Sequence, residues 1–557
     1  MARITPICRA RPGGADEAPG LPLKQRPQAT GTRENAAAIR GRGGGRTSAA
    51  SLCYPVGCMG VQEVAETERA SAKVLFAFGA GSVAIGTKNI IFGSWLMLYY
   101  NQVLGLKPYL AGVALALALV VDAISDPLVG AWSDRIRTRL GRRHPFMYAS
   151  LLPFGASIYM ILQPVPDPSQ SELFLRLLFF SIAVRLSMTF YEVPRSALGP
   201  ELTKDYDQRT LMVGISTAFG WLGGAGIAAI ALGLLFPESP EFAGSRALLN
   251  PEGYVNLALI SGTAVLISGL ISTVGLHSQI PHLHVPEKHQ RMELRQILDE
   301  ILETLSNRSW MMVFLAGLVF ALFIGLQSGT DHYYNVYFWE WVPAEISVFP
   351  VVQAFVAIIC GFATSLLARG REKKKMAVRL FSASVVLGPL PVGLRLLDGL
   401  VPFTTFPANG TDLLWWSLLL HSCVMIMLSA TGFILIGSMV ADIVEQSQAD
   451  TGRRSEGLLS AGPALAQKTM SAGGVLITGV ILSIFGFDVA NPTVEAMRTP
   501  MDKLATAHLA LGMTLPVVST YLISKYTITR SDHQKRVREL GYSGNETHSD
   551  PGPDRPS

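Results

Sequence analysis

Two carboxylates sit one helical turn apart in Val120-Val121-Asp122-Ala123-Ile124-Ser125-Asp126-Pro127, so Asp122 and Asp126 share a helix face, with the Ser125 hydroxyl beside them. Hard oxygen ligands of this kind suit Na⁺ or Li⁺, and two close acids also suit a proton, because each charge raises the pKa of the other. A second group lies in Met188-Thr189-Phe190-Tyr191-Glu192-Val193-Pro194-Arg195, where Thr189 and Glu192 share a face at i and i+3 and Arg195 adds a cation. A third is Gln467-Lys468, followed by Thr469-Met470-Ser471-Ala472-Gly473-Gly474, a small-residue stretch that lets helices approach closely. Asp331 and Tyr334, among Gln327, His332, Tyr333 and Asn335, form a fourth.

What these groups can do depends on the elements that carry them. The chain has 557 residues, 49% hydrophobic and 16% charged, with a mean hydropathy of +0.34, a balance that suits a bilayer. Apolar spans are expected near 73–102, 108–133, 144–164, 172–198, 209–236, 254–277, 309–338, 345–368, 375–398, 412–441, 457–485 and 503–525, each long enough to cross roughly 30 Å of hydrocarbon. Asp122, Asp126, Thr189, Glu192 and Lys468 fall inside them. A charge at the centre of an isolated spanning helix costs about 2.5–3.5 kcal/mol, so an acid pair there calls for a bound cation and a buried lysine for an anion, either the carboxylates of the other half or the substrate. The bland readings stay open: solvated helix ends for the aspartates and for Asp331 and Tyr334, a structural Glu192–Arg195 pair, and a snorkelling Lys468.

Between the sixth and seventh spans, Met292, Leu294, Ile297, Leu298, Ile301, Leu302 and Leu305 recur at helical spacing among polar residues. The domain plan is therefore a tail over 1–72, a six-helix bundle over 73–278, a linker with an amphipathic helix over 279–308, a second bundle over 309–526 and a tail over 527–557. The fold class is all-α membrane protein, twelve transmembrane helices in two bundles. Basic loops follow span two (Arg135, Arg137, Arg139, Arg142, Arg143) and span eight (Arg369, Arg371, Lys373, Lys374, Lys375), which puts both termini in the cytoplasm by the positive-inside rule.

The net charge of +5 is scattered between apolar spans rather than gathered on a domain, which argues against nucleic acid. Five cysteines lack metal-ligand spacing, so neither a structural metal nor a cofactor is expected. The Gly-, Arg-, Ala- and Pro-rich stretch Arg9 to Ser51 reads as disordered: a passive tail, an organelle address, or a start assigned too early, with Met59 as the alternative.

The run Asp122-Ala-Ile-Ser-Asp126-Pro127-Leu-Val-Gly130, then Asp134-Arg135 and Gly141-Arg142-Arg143, then Ala441-Asp442-Ile-Val-Glu445 and Thr451-Gly452-Arg453-Arg454-Ser-Glu456-Gly457, resembles the glycoside-pentoside-hexuronide:cation symporter family of the major facilitator fold, typified by the melibiose permease. The resemblance covers about residues 73–526. It implies a cation site at Asp122, Ser125, Asp126 and Thr189, and a link between cation and sugar at Glu192. Lys468 lies one turn before the position of the family's span-eleven lysine, which falls on Ala472. Asp134, Arg135, Arg142 and Arg143, with Asp442, Glu445, Arg454 and Glu456, match cytoplasmic motifs that hold the two halves together. The departures concern the sugar: the first span, Phe78 to Asn89, lacks the family's acidic residue, Ser196 replaces a stacking tryptophan, and Ser216 or Thr217 stands where an arginine is found.

These readings converge on a monomeric, multi-pass protein of the plasma (inner) membrane that couples Na⁺ or H⁺ to a glycoside or similar small solute by alternating access. Substrate and coupling residues are expected among Glu192, Gln467, Lys468, Asp331 and Tyr334. Family relatives that carry lysophospholipids make an amphipathic solute the alternative. The distant rival is an intramembrane prenyltransferase, with Asp122 and Asp126 holding Mg²⁺ on a diphosphate; it lacks a second acidic cluster beyond Asp442 and Glu445.

Overall fold

Backbone amides have no water to bond inside a bilayer, so a long apolar run satisfies them internally as a helix. The protein is described by a computed structural model covering residues 70–203, 205–282, 308–368, 371–398, 406–451 and 456–526; within these the description of residues 206, 207, 210, 282, 308, 309, 362, 365, 441–451, 456–467 and 469 is limited to the backbone. Twelve helical passages follow among the described residues. In the first half they are α1 (Ala72–Val103), α2 (Pro108–Arg135), α3 (His144–Ile161), α4 (Gln170–Leu202), α5 (Tyr206–Ile230, prolonged by a π turn Ala231–Leu235) and α6 (Pro251–Gly275). In the second half they are α7 (Arg308–Tyr333, prolonged by a π turn Tyr334–Phe338), α8 (Val348–Leu367), α9 (Lys373–Leu397), α10 (Asp412–Thr451), α11 (Glu456–Phe485) and α12 (Val494–Ser524). Ten of these regions contain helices long and apolar enough to cross a membrane.

Caps set several starts: Ser71, Ser169, Asn250 and Thr493 each accept a bond from a backbone N–H two or three residues on. Thr493 explains one difference from the expected spans. α12 begins at Val494, well before 503, because the cap lets the helix run through the charged turns around Glu495, Arg498 and Asp502 that hydropathy alone reads as loop. α10 likewise continues to Thr451, so Asp442 and Glu445 stand on a helix rather than beside a loop. The tail 1–72 and the tail 527–557 lie almost wholly outside the described residues, as does most of the linker 279–308 with its expected amphipathic helix.

The packing repeats with a shift of six. α1 packs on α5 and α6, α2 on α4, α3 on α4 and α6; correspondingly α7 packs on α11 and α12, α8 on α10, α9 on α10 and α12. Each half is thus a six-helix bundle of the same design. The halves meet along two further seams, α2 on α11 and α5 on α8.

Glycine makes the tightest of these approaches possible. A Cβ on Gly479 of α11 would lie 2.5 Å from the Pro108 carbonyl oxygen of α2, and one on Gly86 of α1 would lie 1.9 Å from that of Gly220 in α5.

At the end of the bundle where α1 finishes, the halves are tied by hydrogen bonds. Tyr333 Oη donates to Asn101 Oδ1 (2.8 Å), Tyr337 Oη to Gln102 Oε1 (2.7 Å), Asn101 Nδ2 to the Phe487 carbonyl (2.9 Å) and the Asn491 amide to the Gln102 carbonyl (2.7 Å). Asn101 and Gln102 occupy a π turn of α1, Tyr99–Val103, whose extra residue per turn brings both amides onto the seam.

Candidate functional site

The acid pair stands on α2 just before Pro127, with Asp122 only 4% exposed. α4 packs alongside and brings Thr189, whose Oγ1 lies 3.1 Å from Asp122 Oδ1, 3.0 Å from Asp126 Oδ1 and 3.3 Å from Ser125 Oγ. Ser125 Oγ donates to the Asp122 carbonyl at 3.1 Å. A threonine hydroxyl has one proton, so it serves one carboxylate at a time. The other carboxylate oxygen then needs a positive charge or a proton of its own.

Two basic side chains supply positive charge in this structure. Lys468 Nζ reaches across the α2–α11 seam, 3.1 Å from Asp122 Oδ2 and in ion-pair contact with Asp126 Oδ2. Arg185 Nη1 of α4 lies 3.3 Å from Asp122 Oδ2, its guanidinium stacked 4.8 Å over the Phe92 ring. Of the two partners open to Lys468, the carboxylates of the other half or a substrate, this structure has it on the carboxylates: a lysine from the opposite half bridges them.

Arg185 was missed in the sequence, although four residues separate it from Thr189 and seven from Glu192, which places all three on one face of α4. A charged residue within an otherwise apolar span was the available signal.

The other expected residues are distributed as follows. Glu192 lines a cavity of about 680 Å³ between the halves, and among the described residues it forms no hydrogen bond or ion pair. The alternative Glu192–Arg195 pair is absent: Arg195 donates from Nη1 to the Phe78 carbonyl (2.6 Å) and from Nη2 to Ser82 Oγ (2.9 Å) instead. Asp331 faces the same cavity from α7, and it also borders a second cavity of about 480 Å³ within the second half, where buried Tyr334 stands with its hydroxyl unpartnered. The first cavity is also lined by Ser216 and Thr217, where the family has an arginine. The Gln467 side chain is outside the described residues.

At the basic-loop end, Arg143 pairs with Glu201 of α4 at 2.8 Å and with Asp134 at 3.5 Å, and Arg142 pairs with the same Glu201 and lies 4.0 Å from Asp134. Glu201 is a second residue the sequence reading overlooked. These pairs lie within the first half. Arg135 is exposed, with no ion pair among the described residues. Arg454 and the side chains of Asp442, Glu445 and Glu456, expected to complete a gate between the halves, lie outside the description.

Two like-built helical bundles meeting at a charged seam, with a cavity between them, define a transmembrane carrier of the major facilitator fold. The chain belongs to the MFS/sugar transport protein family, whose model matches residues 77–530. It is 24% identical to the isoprimeverose transporter of Lactiplantibacillus pentosus, over 75% of this chain and 81% of that one. It is 23% identical to the inner membrane symporter YicJ of Escherichia coli, over 85% and 96%. A sodium-dependent lysophosphatidylcholine symporter of Gallus gallus matches at 29% over 29% of this chain and 30% of its own length.

Among solved structures, a D-xylose-proton symporter superposes with a TM-score of 0.54 at 12% identity, covering 82% of this chain and 98% of that one. The inward-open xylose transporter XylE from E. coli gives 0.53 at 13%, over 84% and 98%. At such identities these structures speak to fold alone. The family expected from the motifs is borne out, and the prenyltransferase rival falls, since the family is one of transporters.

Proposed function

We propose that the chain is a cation-coupled symporter in which Na⁺ or H⁺ exchanges places with Lys468 between Asp122 and Asp126. The observation that carries this reading is the bridge itself: the ammonium of one half sits between two carboxylates of the other. In the empty carrier Lys468 acts as an internal counter-ion, so the bundles can rock without a naked acid pair. A cation entering between the carboxylates takes over that role, with Ser125 and Thr189 as neutral oxygen ligands and Arg185 holding Asp122 in place. The freed lysine is then an unpaired charge at the α2–α11 seam, and closure is unfavourable until a solute compensates it. A ligand shifts a conformational equilibrium only by its differential affinity for the two states, and this displacement supplies that difference.

Glu192, on the cavity wall and three residues from Thr189, connects the cation face to the solute. The cavity volume falls in the range that takes small-molecule ligands. A glycoside or similar polar solute is the first reading. An amphipathic solute is the second, favoured by the adjoining 480 Å³ cavity, which shares Asp331, Asn335 and Gln353 with the first and is walled by Phe320, Phe323 and Phe381. The positive-inside reading of the basic loops, with both termini cytoplasmic, supports the seam at Asn101 and Gln102 as the outer gate, closed by its hydrogen bonds. Asp134, Arg142, Arg143 and Glu201 belong to the inner side.

The test is uptake into proteoliposomes of labelled glycosides and a lysophospholipid under imposed Na⁺ or proton gradients, comparing wild type with Asp126→Asn. Gradient-driven accumulation lost in the variant is expected; movement indifferent to both gradients and to Asp126 would overturn the reading.

A further inference from the structure

The acids that face the space between the bundles do not share one fate. Asp122 and Asp126 have Arg185 and Lys468. Glu192 stands on the wall of the 680 Å³ cavity one helical turn from Arg195, the single Lys or Arg on that wall among the described residues. Asp331 is left over. It is the second acid on the same wall, and it forms no hydrogen bond or ion pair among the described residues. Over the whole apolar span Trp310–Phe338 it is the only Asp, Glu, Lys or Arg.

No element packed around Asp331 brings it a counter-charge. On the first cavity α1, α5 and α8 present neutral side chains, and His332 of α7 is turned onto Trp95, its ring centroid 4.6 Å away and both ring nitrogens unpartnered. α11 meets α7 with Ser471 and Gly474 at Gly325 and with Thr478 at Gly329. The 480 Å³ cavity on the other side of Asp331 has no Lys or Arg on its wall among the described residues, and its remaining titratable groups are Tyr334, His421 and His508. His421 Nε2 is 2.9 Å from the Leu387 carbonyl. His508 packs edge-on against Tyr334 at 5.3 Å, with its Nδ1 buried and unpartnered. Tyr334, three residues on from Asp331, is 7% exposed, and its hydroxyl also has no partner.

Asp331 is exposed to the two cavities. When cavities of this kind shrink during a transport cycle their water leaves, and an isolated carboxylate withdrawn from water neutralises rather than stay charged. A metal cation would need several hard oxygens, and the second carboxylate that α2 sets one turn from Asp122 has no counterpart on α7. A proton needs a single carboxylate oxygen.

We propose that Asp331 is a second ion site of the carrier, separate from the acid pair on α2 and specific for a proton. Its place in the fold suits that task. Tyr333, two residues on, donates to Asn101 and ties the seam read above as the outer gate. With the seam tied, Asp331 is reached from the cavities; with it parted, from the outer side, the alternating exposure that an ion site requires. The proton binds one carboxylate oxygen and leaves from the same group, and while bound it gives a solute one donor beside an acceptor. The site stands apart from the exchange of Lys468 with the coupling cation; its part in transport rests on the symport reading above.

The experiment is infrared spectroscopy of the full chain in lipid nanodiscs, titrated from alkaline to acid with and without saturating Na⁺ and with no solute present. The readout is the carbonyl stretch of a protonated carboxyl, and ¹³C-labelled aspartate separates it from glutamate. Wild type is expected to show a protonated aspartate band at a pH where exposed aspartates are still ionised. That band should be unmoved by Na⁺, persist in the Asp122→Asn/Asp126→Asn double variant and be lost in Asp331→Asn. Asp331→Glu, which keeps the carboxyl, should move it from labelled aspartate to unlabelled glutamate.

A wild type without the band overturns the proposal, as does a band that survives Asp331→Asn or one that Na⁺ removes at constant pH. Should Asp331→Asn fail to fold, Asp331→Glu decides alone, and a band that stays with labelled aspartate refutes the site. Gradient-driven uptake lost in Asp126→Asn, in a protein lacking this band, would sink the inference and leave symport standing. The band in a protein whose uptake is indifferent to Asp126 would leave the proton site standing and sink the coupling at α2.

Discussion

Replacing Lys468 with methionine removes the ammonium and keeps a stem of similar length, so the seam between α2 and α11 stays filled while the bridge disappears. In the wild type an incoming cation competes with this ammonium, which stands 3.1 Å from Asp122 Oδ2 and in contact with Asp126. Two full charges at about 4 Å attract by about 4 kcal/mol at an effective dielectric of 20. The lysine side chain is 35% exposed, so solvent screens part of that. A net of about 1.5–3 kcal/mol, the usual worth of a hydrogen bond to a charged group, is the appropriate scale. Lys468→Met should therefore bind the coupling cation about 10- to 100-fold more tightly. It should also transport poorly, because the cation-free carrier no longer has a counter-ion for its return. The assay is a titration of thermal stability against Na⁺ at fixed ionic strength, repeated against pH, with Lys468→Arg as the charge-retaining control. An unchanged or weakened cation response in folded Lys468→Met would refute the competition between lysine and cation.

Thr189→Val keeps the shape of the side chain and removes the hydroxyl shared by Asp122, Asp126 and Ser125; cation affinity should fall roughly 5- to 100-fold, read from the same titration. Tyr333→Phe deletes the bond to Asn101 across the closed gate, worth about 1 kcal/mol, and should increase several-fold the alkylation rate of a cysteine placed at Asn335. Gly479→Val pushes a side chain into the Pro108 carbonyl, so the α2–α11 seam cannot close as seen here; transport should be lost, and cysteine pairs across that seam should crosslink less than in wild type.

Much of this architecture was legible in the residues because apolar runs of membrane length, broken by short basic or Pro-rich loops, admit few other folds. The misjudged ends, at Val494 and Thr451, are places where a cap or a continuing helix carries charged residues past the apolar window. At the site, helical spacing was enough to put Asp122 with Asp126 and Thr189 with Glu192. It could not show which face of α4 turns toward α2, so Arg185 went unnoticed, nor that Arg195 bonds back to α1 rather than to its neighbour Glu192. Lys468 meets Asp126 342 residues away in sequence; the residues left its partner open between the carboxylates of the other half and a substrate, and tertiary packing decides between them. Glu201 escaped for the same reason, since its partners Arg142 and Arg143 lie on a different element.

The central claim is that solute and cation move through one coupled site, and linkage makes that claim reversible. The most direct measurement is the converse flux: vesicles loaded with a Na⁺- or pH-sensitive dye are given an inward solute gradient and no ion gradient. The account predicts that solute entry drives cation entry in wild type and that Asp126→Asn shows none. Solute entry with no accompanying cation in wild type would contradict it.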